Sequence, residues 1–451
     1  MSHSSPQPPS HDPYSALRVA GFRWYLCGWV LSIMGQQLQS VAVGWEIFLR
    51  TNRTSSLGWV GLVQALPVMI LALPAGQLAD WANRRIVVAT MQFLAAAGSA
   101  ALAYVTWQHG SISAMYGLLA AAATCGALSG PARSALLPQI VSVDKFANAV
   151  SWYSSLFQVA SVAGPALGGL IIARATWPAF VIDALCAASY GVFIIFIPMQ
   201  PSTQRREPPS LANLAAGIHF VRESKIILAT ITLDLFAVLL GGATYLLPAV
   251  AKQILHVDSF GYGCLRAAPA IGAFLMALFL AHRAPMKKAG VAMLWAVAGF
   301  GAATIVFGLS RNYWLSLAML FLTGAFDNIS VLVRHTLVQI LTPDDMRGRV
   351  SAVNNVFINA SNELGGFESG MTASLFGTIP SIVGGGIGTI IVVLLTAWAW
   401  PQVSAFGSLQ DAVKFPEQAT PTPAPGIESP GLSSAAEEPE VPRFPPPTYP
   451  A

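Results

Sequence analysis

The sequence predicts an all-α membrane protein of 12 transmembrane helices in two pseudo-symmetric six-helix bundles. Three observations carry this. Twelve long apolar runs fill residues 20 to 400. The chain is 54% hydrophobic and 10% charged over 451 residues, with mean hydropathy +0.59, more apolar surface than a water-soluble fold can bury, so lipid must be its solvent. The second half repeats the first about 200 residues later: Gln139, Ile140, Asp144, Val150 and Ser151 match Gln339, Ile340, Asp344, Val350 and Ser351 at one constant offset, with Arg133 and Arg334 at nearly the same spacing. Runs of this length suit helices, whose backbone bonds are satisfied internally, rather than the short alternating strands of a barrel. A duplicated membrane domain is what two halves need to close around a midplane site from either side.

Apolar patterning places the spans near 22–48, 57–79, 86–107, 112–136, 147–173, 177–199, 226–250, 260–281, 289–309, 313–336, 350–372 and 379–400. The organisation read from this is an N-terminal cytoplasmic segment 1–20, a bundle 21–199, a linker 200–225, a second bundle 226–401 and a tail 402–451. In the linker, Leu211, Leu214, Ile218 and Val221 recur at helical spacing and predict a short amphipathic helix on the membrane surface. The tail holds eleven of the 31 prolines and has too little apolar content to fold. With both termini inside, eighteen Lys and Arg face the cytoplasm and six (Arg50, Arg53, Arg174, Lys252, Arg266, Arg311) face away. The positive-inside rule therefore puts both termini in the cytoplasm.

Several classes are excluded. The polar, proline-rich first twenty residues lack the apolar core of a cleavable signal. Cys27, Cys125, Cys186 and Cys264 show no metal-ligand spacing and read as small apolar side chains. The net charge of +4 comes from loop residues, not a nucleic-acid surface. The glycine pattern at 384–389 lacks the lysine of a phosphate loop and reads as packing glycine. No catalytic triad or metal cluster is present, so an enzyme is not expected, and no cofactor.

Ionisable groups inside membrane helices are costly and usually face a cavity. Ser32, Gln36, Gln39 and Glu46 share a face of the first span; Thr230, Asp234, Gly241 and Tyr245 of the seventh; Thr323, Asp327 and Arg334 of the tenth; Asn355, Asn359, Asn362 and Glu363 of the eleventh. Asp234 and Asp327, without an evident partner in their own helices, are the preferred proton carriers, with Glu363 next. A carboxylate in low dielectric readily takes up a proton. Trp45, Tyr153 and Tyr245 are candidate stacking partners for an aromatic cargo.

Gly76, Leu78, Asp80, Arg84 and Arg85 resemble the loop between the second and third spans of the major facilitator superfamily, with Asn83 where the family has glycine, a replacement suited to a left-handed turn. The resemblance implies that this loop latches the cytoplasmic seam. Gly164, Pro165, Gly168 and Gly169 resemble the fifth-helix motif of exporters in the superfamily. The segments 130–138, 341–349 and 360–370 look like the branch holding the enterobactin exporter and macrolide efflux proteins. The resemblance spans roughly residues 15 to 405. It implies a monomeric, multi-pass protein of the bacterial inner membrane that exports a siderophore or drug-like molecule by alternating access, in exchange for protons. Helices 1, 4, 7 and 10 would line the path, with Gln36, Gln39, Glu46, Arg133, Asp234, Tyr245, Asp327, Asn359 and Glu363 as candidate residues. A nutrient facilitator or importer, or a scaffold acting through the proline-rich tail, is the alternative.

Overall fold

The computed structural model describes residues 12–197, 211–283 and 286–407; most of the predicted tail lies outside them. Twelve long helices run through these residues: α1 (Ala20–Thr51), α2 (Thr54–Trp81), α3 (Arg84–Trp107), α4 (Ile112–Ser134), α5 (Val143–Ile172), α6 (Trp177–Phe196), α7 (Lys225–Leu240), α8 (Ser259–Ala281), α9 (Ala289–Leu309), α10 (Tyr313–Leu341), α11 (Asp344–Phe376) and α12 (Thr378–Ala399). By length and composition, 10 spans qualify to cross a membrane. The two long helices outside that number, α1 and α11, carry the polar side chains that lower hydropathy: Gln36, Gln37, Gln39 and Glu46 on one, Asn354, Asn355, Asn362 and Glu363 on the other. Both pack along qualifying helices, α1 against α5 and α6, α11 against α2 and α7.

The packing scheme repeats. In the first half α1 packs on α5 and α6, α2 on α4, and α3 on α4 and α6; in the second half α7 packs on α11 and α12, α8 on α10, and α9 on α10 and α12. Shifting every helix by six maps one pattern onto the other. The contacts between halves obey the same operation, α2 with α11 and α5 with α8.

Glycine sets the helix spacing. In lipid, apolar side chains gain little by turning inward, so helices associate through close backbone approach. A Cβ on Gly324 of α10 would lie 1.8 Å from the Pro269 carbonyl oxygen of α8, and one on Gly272 of α8 would lie 1.9 Å from that of Phe321. The glycine pattern near 384–389 acts in the same way: Gly385 of α12 approaches the Leu240 carbonyl oxygen, and Gly386 that of Gly301.

Three expectations need correction. The seventh span is not one continuous helix: after Leu240, Gly241 and Gly242 interrupt it, and it continues through a 3-10 turn (Ala243–Leu246), a short α-turn and a π-turn (Val250–Ile254). The linker helix forms at Leu211–Glu223, but it docks on protein: Gly217 meets the Arg349 backbone of α11, and Val221 is buried with Ile227, Val338, Val350 and Val353. The described residues preceding α1 are also anchored, since the Asn148 amide and the Trp152 indole both donate to the Pro13 carbonyl, at 2.8 and 3.0 Å. Asn83 needs no left-handed turn; with φ −64° it caps α3, its side chain accepting from the Arg85 amide.

Replacing Gly324 with valine should lower stability by about 1–3 kcal/mol or more, because the helices must separate to admit the side chain. Gly348→Ala, where a Cβ meets nothing within 4 Å, should cost nothing. Thermal unfolding in detergent compares the two, and equal midpoints would refute backbone contact between α8 and α10.

Candidate functional site

The halves meet at two seams, both at the end of the bundle remote from the start of α1 and the end of α12. In the first, a Cβ on Gly370 of α11 would run into Gly58 Cα of α2, and one on Gly61 would lie 2.6 Å from the Glu363 carbonyl oxygen. In the second, a Cβ on Gly169 of α5 would lie 2.8 Å from Gly263 Cα of α8. Side chains reinforce this end. Trp45 of α1 stacks on Tyr262 of α8 with ring centroids 5.1 Å apart. Trp59 meets Phe367 edge-on at 5.7 Å, and the Gln253 amide donates to Asn52 Oδ1 at 3.1 Å.

The fifth-helix motif is thereby placed on two neighbours. Gly164 lies against Gln37 and Gly168 against Val41, both on α1, while Gly169 faces α8 across the seam. All four motif residues, Pro165 included, are buried. No side chain larger than hydrogen fits at Gly164 or Gly169 without displacing a helix.

Beside this closed end lies a polar cluster built on the break in α7. The Tyr245 hydroxyl donates to Glu363 Oε2 of α11 at 2.5 Å, and its ring lies on Gly366. Arg266 of α8 donates to the Thr244 carbonyl at 3.1 Å, satisfying a group freed by the broken helix, and to Ser40 Oγ of α1 at 3.2 Å. Sequence reasoning counted Arg266 among outer loop charges; it stands two turns inside α8 and bridges the halves. A cavity of about 40 Å³ opens there, with Gln64 and Tyr245 among its lining.

A second cluster lies within the second half. Asp234 of α7 forms an ion pair with Arg334 of α10, and both are buried, at 7% and 2% exposure. Asp234 has no partner in its own helix, as its sequence indicated, but it is paired with a residue of another helix. Asp327, also on α10, is partly buried and has no hydrogen-bond or ionic partner among the described residues.

The first half holds two more clusters. Gln39 of α1 donates to Ser99 of α3 at 3.0 Å, and Ser99 donates to the buried Asp183 of α6 at 2.5 Å. Glu46 is occupied by Arg50 at 2.5 Å and by the Thr176 hydroxyl, so it ties α1 to the segment before α6 rather than facing a path. Arg50 in turn donates to the Thr106 and Gly110 carbonyls, both at 2.9 Å.

Gln36 is exposed in mid-span on α1, as Asn362 is on α11; polar groups so placed face water rather than lipid. Arg133 stands in the last turn of α4, and its carbonyl accepts from the Tyr25 hydroxyl at 3.5 Å. Asp80 ends α2 and Asn359 lies in α11, but their side chains fall outside the described ones, so the latch rests on sequence alone. The three proposed stacking aromatics have partners already: Trp45 on Tyr262, Tyr245 on Gly366, and Tyr153 on Trp29 at 3.7 Å. Among the described residues no cluster of His, Cys, Asp and Glu could hold a metal.

A family model described as transmembrane secretion effector matches residues 11–421. The enterobactin exporter EntS of Citrobacter koseri is 27% identical over 400 residues, covering 86% of this chain and 91% of that protein. The EntS of Escherichia coli O6:K15:H31 is 26% identical over 423 residues, covering 88% and 97%. The fold is also similar to a bacterial homologue of the human lysosomal transporter Spinster in an inward-facing, unoccupied conformation (TM-score 0.66, 15% identity, 91% of this chain and 100% of that one). A bacterial homologue of the iron transporter ferroportin, also inward-facing, gives TM-score 0.64 at 14% identity, covering 87% and 100%.

Asp234→Asn should destabilise the protein by about 3–5 kcal/mol, because it strands a buried guanidinium. Adding Arg334→Met should recover most of that loss. Thermal unfolding of the single and double variants tests the pair, and equal stabilities would mean that the two side chains are independent.

Proposed function

Because the chain belongs to the transmembrane secretion effector family, within the major facilitator superfamily, we propose that it exports a small organic molecule by alternating access in exchange for protons. It is a multi-pass membrane transporter, not an enzyme. The observation that carries the export reading is the position of the fifth-helix motif: Gly164 and Gly168 fix α5 to α1, and Gly169 rests on α8 of the other half. A small-residue face there lets the halves close tightly without side chains between them. The EntS relatives support a siderophore or a molecule of similar size as cargo.

With the termini in the cytoplasm of a bacterial inner membrane, the closed end is the outer one. The protein is then inward-facing, ready to take cargo from the cytoplasm, and it acts as a monomer. Asp327 is the leading proton carrier, since an unpaired carboxylate in a span can gain or lose a proton without breaking an ion pair. Glu363 follows, held by Tyr245. Asp234 instead joins α7 to α10 through Arg334. Protonation at Asp327 removes a charge from the path and shifts which conformation is favoured. Asp80 latches the cytoplasmic seam when that end closes.

Everted vesicles loaded by a pH gradient, with enterobactin and a macrolide as trial cargoes, test this. Asp327→Asn should abolish uphill transport while downhill exchange persists. If it still concentrates cargo, the proton site lies elsewhere, with Glu363→Gln the next variant. Asp80→Asn should insert normally yet lose transport in both modes; normal efflux would count against a latch.

A further inference from the structure

Away from the seams, a groove of about 580 Å³ opens in the second half, between α9 and the neighbouring α8, α10 and α12. Its shape follows from composition. Ala292, Ala296, Gly299 and Ala302 recur on one face of α9 at helical spacing and remove side-chain volume there, while Phe326 of α10 forms part of the wall. A Cβ on Gly299 would lie 2.9 Å from the Phe326 ring, so the glycine is what lets that ring lie against α9. Trp295 stands beside it, 74% exposed.

The size falls within the roughly 300–1,000 Å³ of small-molecule pockets, yet the lining lacks the few convergent polar groups that orient such ligands. A hydrocarbon chain fits this surface; a polar cargo does not. One end carries the missing polarity. Leu280 and Met286 line the groove where α8 ends and α9 begins, and beside them stand Arg283, Lys287 and Lys288, all exposed. Arg283 lies over the Phe279 ring at 4.9 Å, while Lys287 and Lys288 have no partner among the described residues. No Asp or Glu occurs between Ser259 and Ser310 to balance them. An apolar channel ending at cations with no acidic partner among the described residues has the polarity of a phospholipid with an anionic headgroup.

We propose that this groove binds an anionic phospholipid, one acyl chain lying along Trp295 and Gly299 and the phosphate resting on Lys287 and Lys288. The site depends only on membrane placement, not on the export reading.

The test uses the full-length protein in phosphatidylcholine vesicles, with brominated acyl chains on either phosphatidylglycerol or phosphatidylcholine. The signal of Trp295 is the difference between wild type and Trp295→Phe. Brominated phosphatidylglycerol should quench that signal preferentially, and the preference should fall about fivefold for each lysine removed in Lys287→Gln and Lys288→Gln. Equal quenching by the two lipids would overturn the proposal. So would displacement of the quenching lipid by a macrolide, which would make the groove a cargo site.

Discussion

Lipid offers no hydrophobic reward for turning apolar side chains inward, and that constraint governs how this chain holds itself together. What remains is close packing of backbone on backbone and polar pairing in low dielectric. The glycines answer the first need: α8 and α10 touch at Gly272 and Gly324, and the halves touch at Gly58–Gly370 and Gly169–Gly263. Polar pairs between helices distant in sequence answer the second, as Asp234 with Arg334 and Ser99 with Asp183 do.

The two kinds of contact divide the labour. Glycine seams join surfaces that can part and re-form, since separating bare backbone strands no buried charge. The Asp234–Arg334 pair lies inside one half, where parting would leave a charge unpaired in low dielectric. The Gln39–Ser99–Asp183 chain likewise stays within the first half. Each half is thus fastened internally by polar bonds, while the boundary between halves is largely glycine and aromatic. Two polar bonds cross the boundary nonetheless: Gln253 donates to Asn52, and Arg266 donates to Ser40 while repairing the broken α7. Opening this end must release both.

The helices and the repeat were legible because their signals are local: apolar run length, and identities at a fixed offset. The break in α7 had a local signal too, Gly241-Gly242 with Pro248 close behind, though apolarity concealed it. The partner of Asp234 was not legible, since Arg334 lies 100 residues away and a helical face says which way a side chain points without saying what it meets. Arg266 was misplaced because charge counting assigns arginines near span ends to loops, whereas its aliphatic stem lets it stand inside a helix. The linker helix was read correctly as amphipathic, but amphipathicity alone does not distinguish a lipid surface from the start of α11.

The central claim is that the two glycine seams close one end and part during transport. The most direct measurement is electron–electron spin resonance between labels at Arg53 and Leu375, flanking the Gly58–Gly370 seam, with the native cysteines replaced. The account predicts a single short distance at rest and a second, longer population when a pH gradient and enterobactin are supplied. An unchanged distribution in vesicles that are actively transporting would contradict it.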